Sequence, residues 1–477
     1  MDTKKLRQKI LDLAIHGKLV PQDPNDEPAS VLLQRIRTEK ERLIKEGKIK
    51  RSRKPAKTSD TPHYEQMPFE LPQGWVWITL EEISSKIGSG STPKGGNYSK
   101  DGIPFFRSQN VYNEGLVCAD MKFISNATHK RMIGTEVRPK DLLLNITGGS
   151  LGRCAIVSDE FQIGNVSQHV CIIRPIFVLS SYVHSFILSS LFKKSMNITG
   201  SGREGLPKYN LEKMFLPLPP LTEQTRIVTE IEHWTKLIDA IEQGKIALQI
   251  AIKQAKSKIL ELAIHGKLVP QNPADEPASE LLKRINPKAE IACDNEHNRK
   301  FPDGWAVLKV KDAFIINPRN ELDDNTDVGF IPMAYINDGY SGEFKYAQKK
   351  WAEIKNGFTH FSDGDIAVAK ISPCLENLKS MILKDLPNGV GAGTTELYVF
   401  RALYTSSEYS LYFFKSNIFV RKCVGTFNGV VGQQRVGKRI IEDILFPIPP
   451  SVEQERIVAK IKELFFFIDE IQESLKA

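Results

Sequence analysis

The amino-acid sequence predicts a mixed α/β (α+β) fold in which two globular domains are separated by long antiparallel coiled-coil helices. Three observations indicate this fold: a long heptad run in the middle of the chain, partial copies of that run at both chain ends, and repeated sequence motifs that flank each copy. Such repetition predicts a pseudo-two-fold internal repeat before any single motif is considered.

The heptad run extends from Gln224 to Leu262. Alternating steps of four and three residues meet an apolar side chain everywhere except at Lys245, no proline interrupts the run, and Gly244 is its sole glycine. A seam of this length is typical of a coiled-coil helix, which needs a partner helix. Thr222 is predicted to cap it. The seam positions are Ile227, Ile231, Trp234, Ile238, Ile241, Lys245, Leu248, Ile252, Ala255, Ile259 and Leu262.

The two chain ends carry copies of this seam, and we expect them to supply the partner helix. The C-terminal copy is displaced by the constant offset 457 − 227, and Ser451 with Gln454 is predicted to form its capping box. The N-terminal copy is displaced by the offset 255 − 6 and is closed by Gly17. Because the terminal helices together rebuild the central one, we expect the two ends to meet in space. The copied positions are Ile457, Ile461, Leu464, Ile468, Ile471, Leu475, Leu6, Ile10 and Leu13.

Two globular blocks lie between the helices. Trp75 marks the start of the first and Trp305 the start of the second, and their offset 305 − 75 equals the offset 457 − 227 of the C-terminal seam copy. Short β-like runs, followed by helical stretches at 180–196 and 407–423, predict irregular mixed sheets in both blocks. The predicted organisation is an N-terminal helical region with a basic linker (1–69), a first globular domain (70–217), a central helical region (218–285), a linker (286–299), a second globular domain (300–447) and a C-terminal helix (448–477).

The composition favours a cytoplasmic protein and is compatible with a polyanionic partner. The 477 residues, 41% of them hydrophobic, suffice for two or three domains of roughly 100 to 200 residues each. The formal net charge of +8 is compatible with nucleic acid. The six cysteines form no CxxC pair, so reduced thiols are expected rather than a zinc site or disulfides. Without a signal-peptide core or an 18-residue apolar run, neither secretion nor membrane insertion is expected.

The segment from Lys48 to Lys57 is basic and contains no acid. Two interpretations stand: a solvated linker, or an arm that binds phosphates without sequence preference. The corresponding linker of the second repeat is shorter. Matching positions before the linker are separated by 255 − 6 residues, whereas matching positions after it are separated by only 305 − 75 residues. This difference favours the solvated linker.

No catalytic or metal-binding residues are predicted. An amino-methyltransferase needs an Asn-Pro-Pro-aromatic motif and a glycine-rich cofactor loop, and a motor needs GxxxxGK[ST]; the sequence has none of these. The glycine-rich stretch at 148–152 lacks the lysine and the strand-to-helix setting. An autonomous nuclease would have to combine Pro302-Asp303 with Glu353-Ile354-Lys355, but the former is better explained as part of a turn at the start of the domain.

The text that flanks the blocks points to a family. Each block starts with Leu71-Pro72-Gln73-Gly74-Trp75 or its copy ending at Trp305, and each ends in Pro217-Leu218-Pro219-Pro220 or Pro447-Ile448-Pro449-Pro450. With Asn165-Val166-Ser167-Gln168 in the first block, this order resembles the specificity subunit of type I restriction-modification enzymes over the whole chain. The resemblance implies a non-catalytic subunit whose blocks are target recognition domains, each reading one half of a bipartite site in double-stranded DNA.

The resemblance also implies partners. Two methyltransferase subunits, which methylate adenine with S-adenosylmethionine, would dock on the helical regions, and restriction or translocase subunits are a further partner. S-adenosylmethionine, ATP and Mg would then be bound by the partners, and no cofactor by this chain. Polar residues repeated outside the seam are predicted to bind these subunits: Glu223, Gln224, Arg226, Glu453, Gln454 and Arg456.

The DNA-reading residues are predicted from side-chain chemistry. Arginine suits guanine, asparagine and glutamine suit adenine, and serine, threonine and lysine suit phosphates. Such residues cluster in loops after β-like runs, although polar residues also fill ordinary surface loops. In the first domain they are Lys94, Arg107, Gln109, Asn110, Asn145, Thr147, Ser150, Arg153, Ser167, Gln168, His169 and Arg203. In the second they are Asn337, Lys370, Ser372, Thr394, Thr395, Asn428, Gln433, Gln434 and Arg435.

Two alternatives to this function remain open. One is a coiled-coil scaffold whose twin domains bind proteins without DNA specificity. The other is a related two-part system with a fused methylase-nuclease partner, which this chain would serve in the same way. Strongly salt-dependent, sequence-selective DNA affinity would exclude the scaffold.

Overall fold

The computed structural model describes residues 2–51, 67–96, 98–199, 205–287, 301–427, 429 and 434–474. They divide into two compact units, residues 1–244 and 245–477. The seam position Leu475 and residues 52–57 of the basic segment lie outside the described residues. None of the described helices is long and apolar enough to cross a membrane.

The first unit begins with two helices, continues as a globular domain and ends in the first half of a long helix. Its helices are α1 (Thr3–Ile15), α2 (Ala29–Lys45), α3 (Asn126–Arg131), α4 (Ser180–Leu188), α5 (Ser190–Ser195), α6 (Lys208–Lys213) and α7 (Leu221–Ile264), which continues into the second unit. Its strands are β1 (Val76–Thr79), β2 (Ser84–Ser89), β3 (Ile103–Phe106), β4 (Val111–Tyr112), β5 (Gly115–Leu116), β6 (Lys122–Ile124), β7 (Glu136–Val137), β8 (Leu142–Asn145), β9 (Cys154–Ile156), β10 (Gly164–Val166), β11 (Val170–Pro175) and β12 (Phe215–Leu218).

The strands of the first unit form two sheets, a ribbon and a hairpin. One sheet has the antiparallel order β2-β11-β8-β9, and the other has the order β6-β3-β10-β7 with β3 and β10 parallel. The strands β4 and β5 form the hairpin. In the ribbon, β1 and β12 pair antiparallel with Val76 opposite Leu218, so the chain enters and leaves the domain on adjacent strands.

The second unit repeats this topology. Its further helices are α8 (Ala278–Ile285), α9 (Val310–Ala313), α10 (Trp351–Ile354), α11 (Ser407–Phe414), α12 (Asn417–Val424), α13 (Lys438–Glu442) and α14 (Ser451–Ser474). Its strands are β13 (Ala306–Lys309), β14 (Phe314–Ile316), β15 (Asp327–Ile331), β16 (Ala347–Lys350), β17 (Thr359–Ser362), β18 (Ile366–Ala369), β19 (Ser380–Ile382), β20 (Val390–Gly393), β21 (Leu397–Ala402) and β22 (Leu445–Ile448). The sheets β14-β21-β18-β19 and β16-β15-β20-β17 and the ribbon β13-β22 match the first unit strand for strand.

Each unit contains more than one hydrophobic core. In the first, the main core joins helices α1, α2 and α4 to one sheet and to α7, and includes Ile15, Leu32, Phe186 and Ile227. A smaller core around Leu143 lies between the two sheets. The main core of the second unit is built in the same way, since Ile264 and Ile457 belong to one cluster with the aromatic side chains of α11.

The helix pairs within each unit are antiparallel, as predicted. Near the start of α1, Arg7 donates a hydrogen bond to Glu242 (3.0 Å), whereas Ile15 at its end shares a core with Ile227. Arg7 also pairs with Asp239, and in the second unit Lys256 forms an ion pair with Asp469 of α14. The structure thereby reproduces both offsets found in the sequence, because 256 − 7 equals 255 − 6 and 469 − 239 equals 457 − 227.

The buried stripe of α7 follows the predicted seam only in part. Ile238 and Ile252 are buried, but Trp234 and Ile241 are 38% and 37% exposed. Near the C-terminal end Ala255 is exposed and the neighbouring Lys256 is buried. In a straight helix, positions seven residues apart do not lie on quite the same face. The face covered by a short partner helix therefore moves gradually away from the predicted seam positions along the helix.

Two predicted helix caps are wrong. Helix α7 begins at Leu221, before Thr222, and the Thr222 hydroxyl donates instead to Asp26. Helix α14 begins at Ser451, so this serine is already helical, and Gln454 accepts a hydrogen bond from the backbone of Ser406 (3.0 Å). The predicted closure at Gly17 is confirmed, because its φ of 64° is left-handed and an added Cβ would lie 2.3 Å from Cγ of Pro72.

Each predicted helical stretch within the domains is two helices. The first breaks at Ser189, whose hydroxyl donates to the carbonyl of Phe186 (2.6 Å) and accepts from the backbone of Phe192 (3.3 Å). The second breaks at Ser416, whose hydroxyl forms the equivalent bonds. Serine competes with the helical backbone in this way, which ends one helix and caps the next.

Candidate nucleic-acid interface

The predicted DNA-reading loops of the first unit meet at one edge of its sheets. Strands β3 and β10 are parallel, so the segments that follow them emerge side by side, and the backbone N–H of Ser167 donates to the carbonyl of Phe106 (2.9 Å). The loop after β8 joins them, because the N–H of Ile146 donates to the carbonyl of His169 (3.0 Å). We call the segments 107–110, 145–153 and 167–169 the first rim.

Several side chains of the first rim reach its surface. Gln109 and Gln168 are exposed, and the Thr147 hydroxyl lies 2.8 Å from Nδ1 of His169. The guanidinium carbon of Arg153 lies 4.8 Å from the centre of the Tyr112 ring. Stacking on the hairpin β4-β5 holds this cation beside the rim, where it is able to meet a phosphate or a base edge.

Three predicted DNA-reading residues are buried instead. Asn110 donates from Nδ2 to the carbonyl of Val117 (3.0 Å) and shapes the turn after β3. Asn145 donates to the carbonyl of Ser108 (2.9 Å) and to the Ser150 hydroxyl (3.2 Å), which joins two loops of the rim. Ser167 is 5% exposed. These side chains position the rim. Because they are buried, the structure does not support the prediction that each of them contacts DNA directly.

Three buried polar atoms of the first rim have no hydrogen-bond partner within the described part of the chain. They are Oδ1 of Asn145, Oγ of Ser167 and Nε of Arg107. The Arg107 guanidinium nonetheless donates from Nη2 to the carbonyl of Asp120 (2.6 Å). Three of the predicted residues, Arg203, Asn428 and Gln433, lie outside the described residues, as does the side chain of Lys94.

The second unit builds the same backbone frame. The N–H of Thr394 donates to the carbonyl of Ile331 (3.1 Å), as Ser167 does to Phe106, and the N–H of Lys370 donates to the carbonyl of Glu396 (2.9 Å). The N–H of Val436 in turn donates to the carbonyl of Lys370 (3.0 Å). We call the segments 370–372, 394–396 and 434–436 the second rim.

The second rim carries different side chains. Arg435 and Glu396 form an ion pair with Nη2 2.7 Å from Oε1, and Nζ of Lys370 lies 5.0 Å from the centre of the Tyr398 ring. Ser372 donates to Glu376 (2.7 Å), Thr395 is exposed, and the Thr394 hydroxyl accepts from the N–H of Glu396 (3.2 Å). Gln434 holds the frame through its carbonyl, which accepts from Ser372 (2.8 Å).

Side-chain chemistry selects Asn337 as a DNA-reading residue but does not select Glu396. Asn337 is exposed and donates to Glu343 (3.2 Å) in the segment after β15. Glu396 is absent from the predicted residues, since a carboxylate in a DNA site repels phosphates. In the sequence, only its position next to Thr394 and Thr395 pointed to Glu396. Its pairing with Arg435 could be seen only in the folded structure.

The polar residues predicted to bind partner subunits lie inside the units. Glu223 is 1% exposed and accepts hydrogen bonds from the indole Nε1 of Trp75 (2.9 Å) and from Gln22 (3.1 Å). Gln224, fully buried, accepts from the backbone of Leu179 (3.0 Å) and donates to the carbonyl of Pro219 (3.0 Å). Burial raises the pKa of the Glu223 carboxyl, while these hydrogen bonds oppose the shift.

The second unit repeats this arrangement. Glu453 accepts from Trp305 (3.0 Å) and from Gln271 (2.8 Å), and Gln454 donates to the carbonyl of Pro449 (3.0 Å). The four buried side chains therefore fasten the start of a helix to its own domain, and they offer no surface to a partner. Their recurrence in both repeats has this internal cause.

Arg226 and Arg456 also have internal partners. Arg226 forms an ion pair with Asp26 (2.5 Å), and Arg456 forms one with Asp275 (2.6 Å). The hydrogen bond from each arginine holds the pKa of its aspartate below the ordinary value. About a third of each arginine side chain is exposed (35% and 32%), so for these two residues docking stays a prediction.

Two similarly built units, each with a rim formed by three loops, define a protein with two related α/β domains carried on helices. The chain belongs to the type I restriction modification DNA specificity domain family, whose model matches residues 72–250 and 302–477. The described residues contain no group of three or more His, Cys, Asp or Glu side chains that could hold a metal ion.

The comparisons with individual proteins agree with this family. The chain is 40% identical over 271 residues to the EcoAI type I restriction enzyme specificity subunit of Escherichia coli, covering 52% of this chain and 46% of that protein. It is 42% identical to the EcoEI specificity subunit of Escherichia coli, covering 48% and 42%. These matches thus span less than half the length of the two relatives. Similarity to the EcoKI specificity subunit of Escherichia coli strain K12 is lower, 21%, but covers 85% of both chains.

Two solved structures share the fold. A chain from work on complex assembly and conformational transition of the type I R-M system superposes with a TM-score of 0.56 at 16% identity, covering 86% of this chain and 94% of that one. The HsdS subunit from Thermoanaerobacter tengcongensis superposes with a TM-score of 0.52 at 16% identity, covering 86% and 93%.

Proposed function

We propose that this chain is the DNA sequence-specificity subunit of a type I restriction-modification complex. Each globular domain reads one half of a bipartite site in double-stranded DNA, and the first and second rims supply the contacts. The chain itself breaks and forms no bond. S-adenosylmethionine, ATP and Mg are bound by partner subunits.

One observation carries the proposal: two equivalent backbone frames hold different side chains. The hydrogen bonds of Ser167 and Thr394 match, as do those that Ile146 and Lys370 donate. The first rim nevertheless presents glutamine and histidine where the second presents threonine and glutamate. A common frame with divergent side chains is what two related domains need in order to read two different half-sites. The family match and the specificity subunits among the relatives support this proposal.

The helices supply the docking surface for two copies of a methyltransferase subunit. Apolar side chains at positions matched by the offset 457 − 227 are exposed in both units: Leu237 (42%) with Phe467 (57%), and Ile241 (37%) with Ile471 (49%). Exposed apolar groups on a helix face are typical of a binding surface for another protein. Matched faces in a duplicated chain suit two copies of one partner.

The test is to express the chain with the adenine methyltransferase encoded beside it and to map methylated adenines across the host genome by single-molecule sequencing. We expect a split motif with a fixed unread spacer, which disappears when this chain is omitted. An unsplit motif that survives the omission would contradict the proposal. The scaffold alternative is tested by DNA affinity at rising salt, since it predicts no sequence-selective, salt-dependent binding.

A further inference from the structure

The second rim contains a charged pair where the first rim has none. His169 and Glu396 occupy equivalent positions, because their carbonyls accept equivalent bonds from Ile146 (3.0 Å) and Lys370 (2.9 Å). Likewise, the bridge of Thr147 to Gly205 corresponds to the bridge of Ile371 to Arg435. On one shared frame, Glu396 and Arg435 therefore replace a histidine and a glycine.

The geometry of the pair holds both side chains in place. Nε of Arg435 lies 2.9 Å from Oε2 of Glu396, and Nη2 lies 2.7 Å from Oε1. The side chains remain 47% and 24% exposed, so the pair lies at the surface of the rim. A two-point bond between a planar guanidinium and a carboxylate fixes the orientation of both groups. The hydrogen bonds from Arg435 lower the pKa of Glu396, which keeps the carboxylate ionised at neutral pH.

The chemistry of the pair matches one type of base pair. Guanine presents two acceptors in the major groove, O6 and N7, to the donors of an arginine, and cytosine presents the N4 amino group to a carboxylate. An A·T pair offers the carboxylate a donor too, but its two acceptors, N7 of adenine and O4 of thymine, lie on different bases, so only guanine offers an arginine two acceptors on one base. Adjacent donor and acceptor groups therefore favour G·C. Lys370, stacked on Tyr398 next to the pair, adds positive charge suited to a phosphate.

Resting on the proposed function, we propose that Glu396 and Arg435 are specificity-determining residues that read one G·C base pair in the half-site of the second domain. The first domain, with His169 at the equivalent position, reads a different base pair there.

The experiment maps methylated adenines for complexes that contain the parent chain, Arg435→Lys, Glu396→Gln or the control Arg284→Lys. The control alters another exposed bidentate pair of the same unit, in which Arg284 donates to Glu276 at 3.0 and 2.9 Å from helix α8, outside the rim. We expect the two rim variants to relax one G·C position of one half-site by about tenfold to a hundredfold. The other half-site, and the control's whole motif, should be unchanged.

The outcomes separate this inference from the proposed function. A parent complex with no split motif would contradict the proposed function itself. A parent with a split motif, together with rim variants whose motif is unchanged, would overturn the inference and leave the pair as an internal clamp. If Arg435→Lys abolished methylation, the purified complexes would be compared by competition with duplexes carrying single base-pair substitutions. Discrimination by Glu396→Gln equal to that of the parent at every position would then overturn the inference.

Discussion

The indole Nε1 of Trp75 donates a hydrogen bond to Glu223 over 2.9 Å, and Trp305 does the same to Glu453 over 3.0 Å. Each bond joins the start of a globular domain to the helix that leaves it. In each unit, the bond therefore fixes the start of the domain to the helix that follows the same domain.

We expect Trp75→Phe to destabilise the first unit. Phenylalanine keeps most of the ring but removes the donor, and a buried acceptor that loses its hydrogen-bond partner costs about 1 to 3 kcal/mol. Denaturant unfolding monitored by circular dichroism measures the effect. Trp77→Phe is the control, since Trp77 lies on β1, two residues after Trp75, and packs against Phe69. Equal losses in the two variants would contradict the role of the indole bond.

The pair of Arg226 and Asp26 predicts a pH-dependent loss of stability. The hydrogen bond from Arg226 lowers the pKa of Asp26 below its ordinary value of 3.8, so the pair stabilises the folded state above that pH and the effect is lost as the pH falls through the folded-state pKa. Asp26→Asn should therefore lower the melting temperature at pH 7, and the difference from the parent should shrink below pH 3.8. Asp159→Asn, at an exposed aspartate, is the control. A difference independent of pH would contradict the ionic contribution.

The two matched helix ion pairs should differ in strength. Lys256 is 9% exposed at its side chain and Arg7 is 31% exposed, although their aspartates are similarly open at 53% and 57%. Removing the carboxylate leaves the cation without its partner. The loss of stability is larger when that cation is buried than when it is exposed. Asp469→Asn should therefore destabilise its unit more than Asp239→Asn does, by about 1 kcal/mol. Chemical denaturation of both variants measures the difference, and equal costs would contradict it.

Neighbouring residues of the first rim should have separable effects. Gln109 is exposed, whereas Asn110 is fully buried and bonded to the backbone of Val117. Gln109→Ala should weaken DNA binding without loss of stability, by about 1 to 3 kcal/mol if it contacts a base. Asn110→Ala should lower the melting temperature instead. Fluorescence anisotropy with a cognate duplex measures the first effect, and thermal unfolding measures the second. If Asn110→Ala weakened only DNA binding and Gln109→Ala lowered only the melting temperature, the assignment of the first rim would be contradicted.

The length of α7 should set the spacer between the half-sites. Seven residues inserted after Gly244, at the division between the units, lengthen the helix by about 10.5 Å at ~1.5 Å per residue. This corresponds to about three base pairs at ~3.4 Å each. Methylation mapping should show a longer spacer with both half-sites retained. Altered half-sites with an unchanged spacer would contradict the prediction.

Repetition made the fold predictable, because a duplicated pattern is a property of the sequence itself. The two offsets of the seam copies reappear in the ion pairs of Arg7 and Lys256. Side-chain direction was not predictable. Asn110 and Gln109 are adjacent polar residues, yet only the packing of the hairpin decides which is buried. The same holds for Glu223, whose partners Trp75 and Gln22 are far away in the chain.

The ribbons β1-β12 and β13-β22 place both ends of a domain on neighbouring strands, with Val76 opposite Leu218 and Ala306 opposite Ile448. A domain attached through two adjacent strands is a cassette: another domain with the same paired ends could replace it while the supporting helices keep their lengths. Under the proposed function, recombination at the paired ends would exchange one half of the recognised sequence and leave the other half intact. Under that function, the paired ends would let a new specificity arise by exchange of a whole domain as well as by single substitutions.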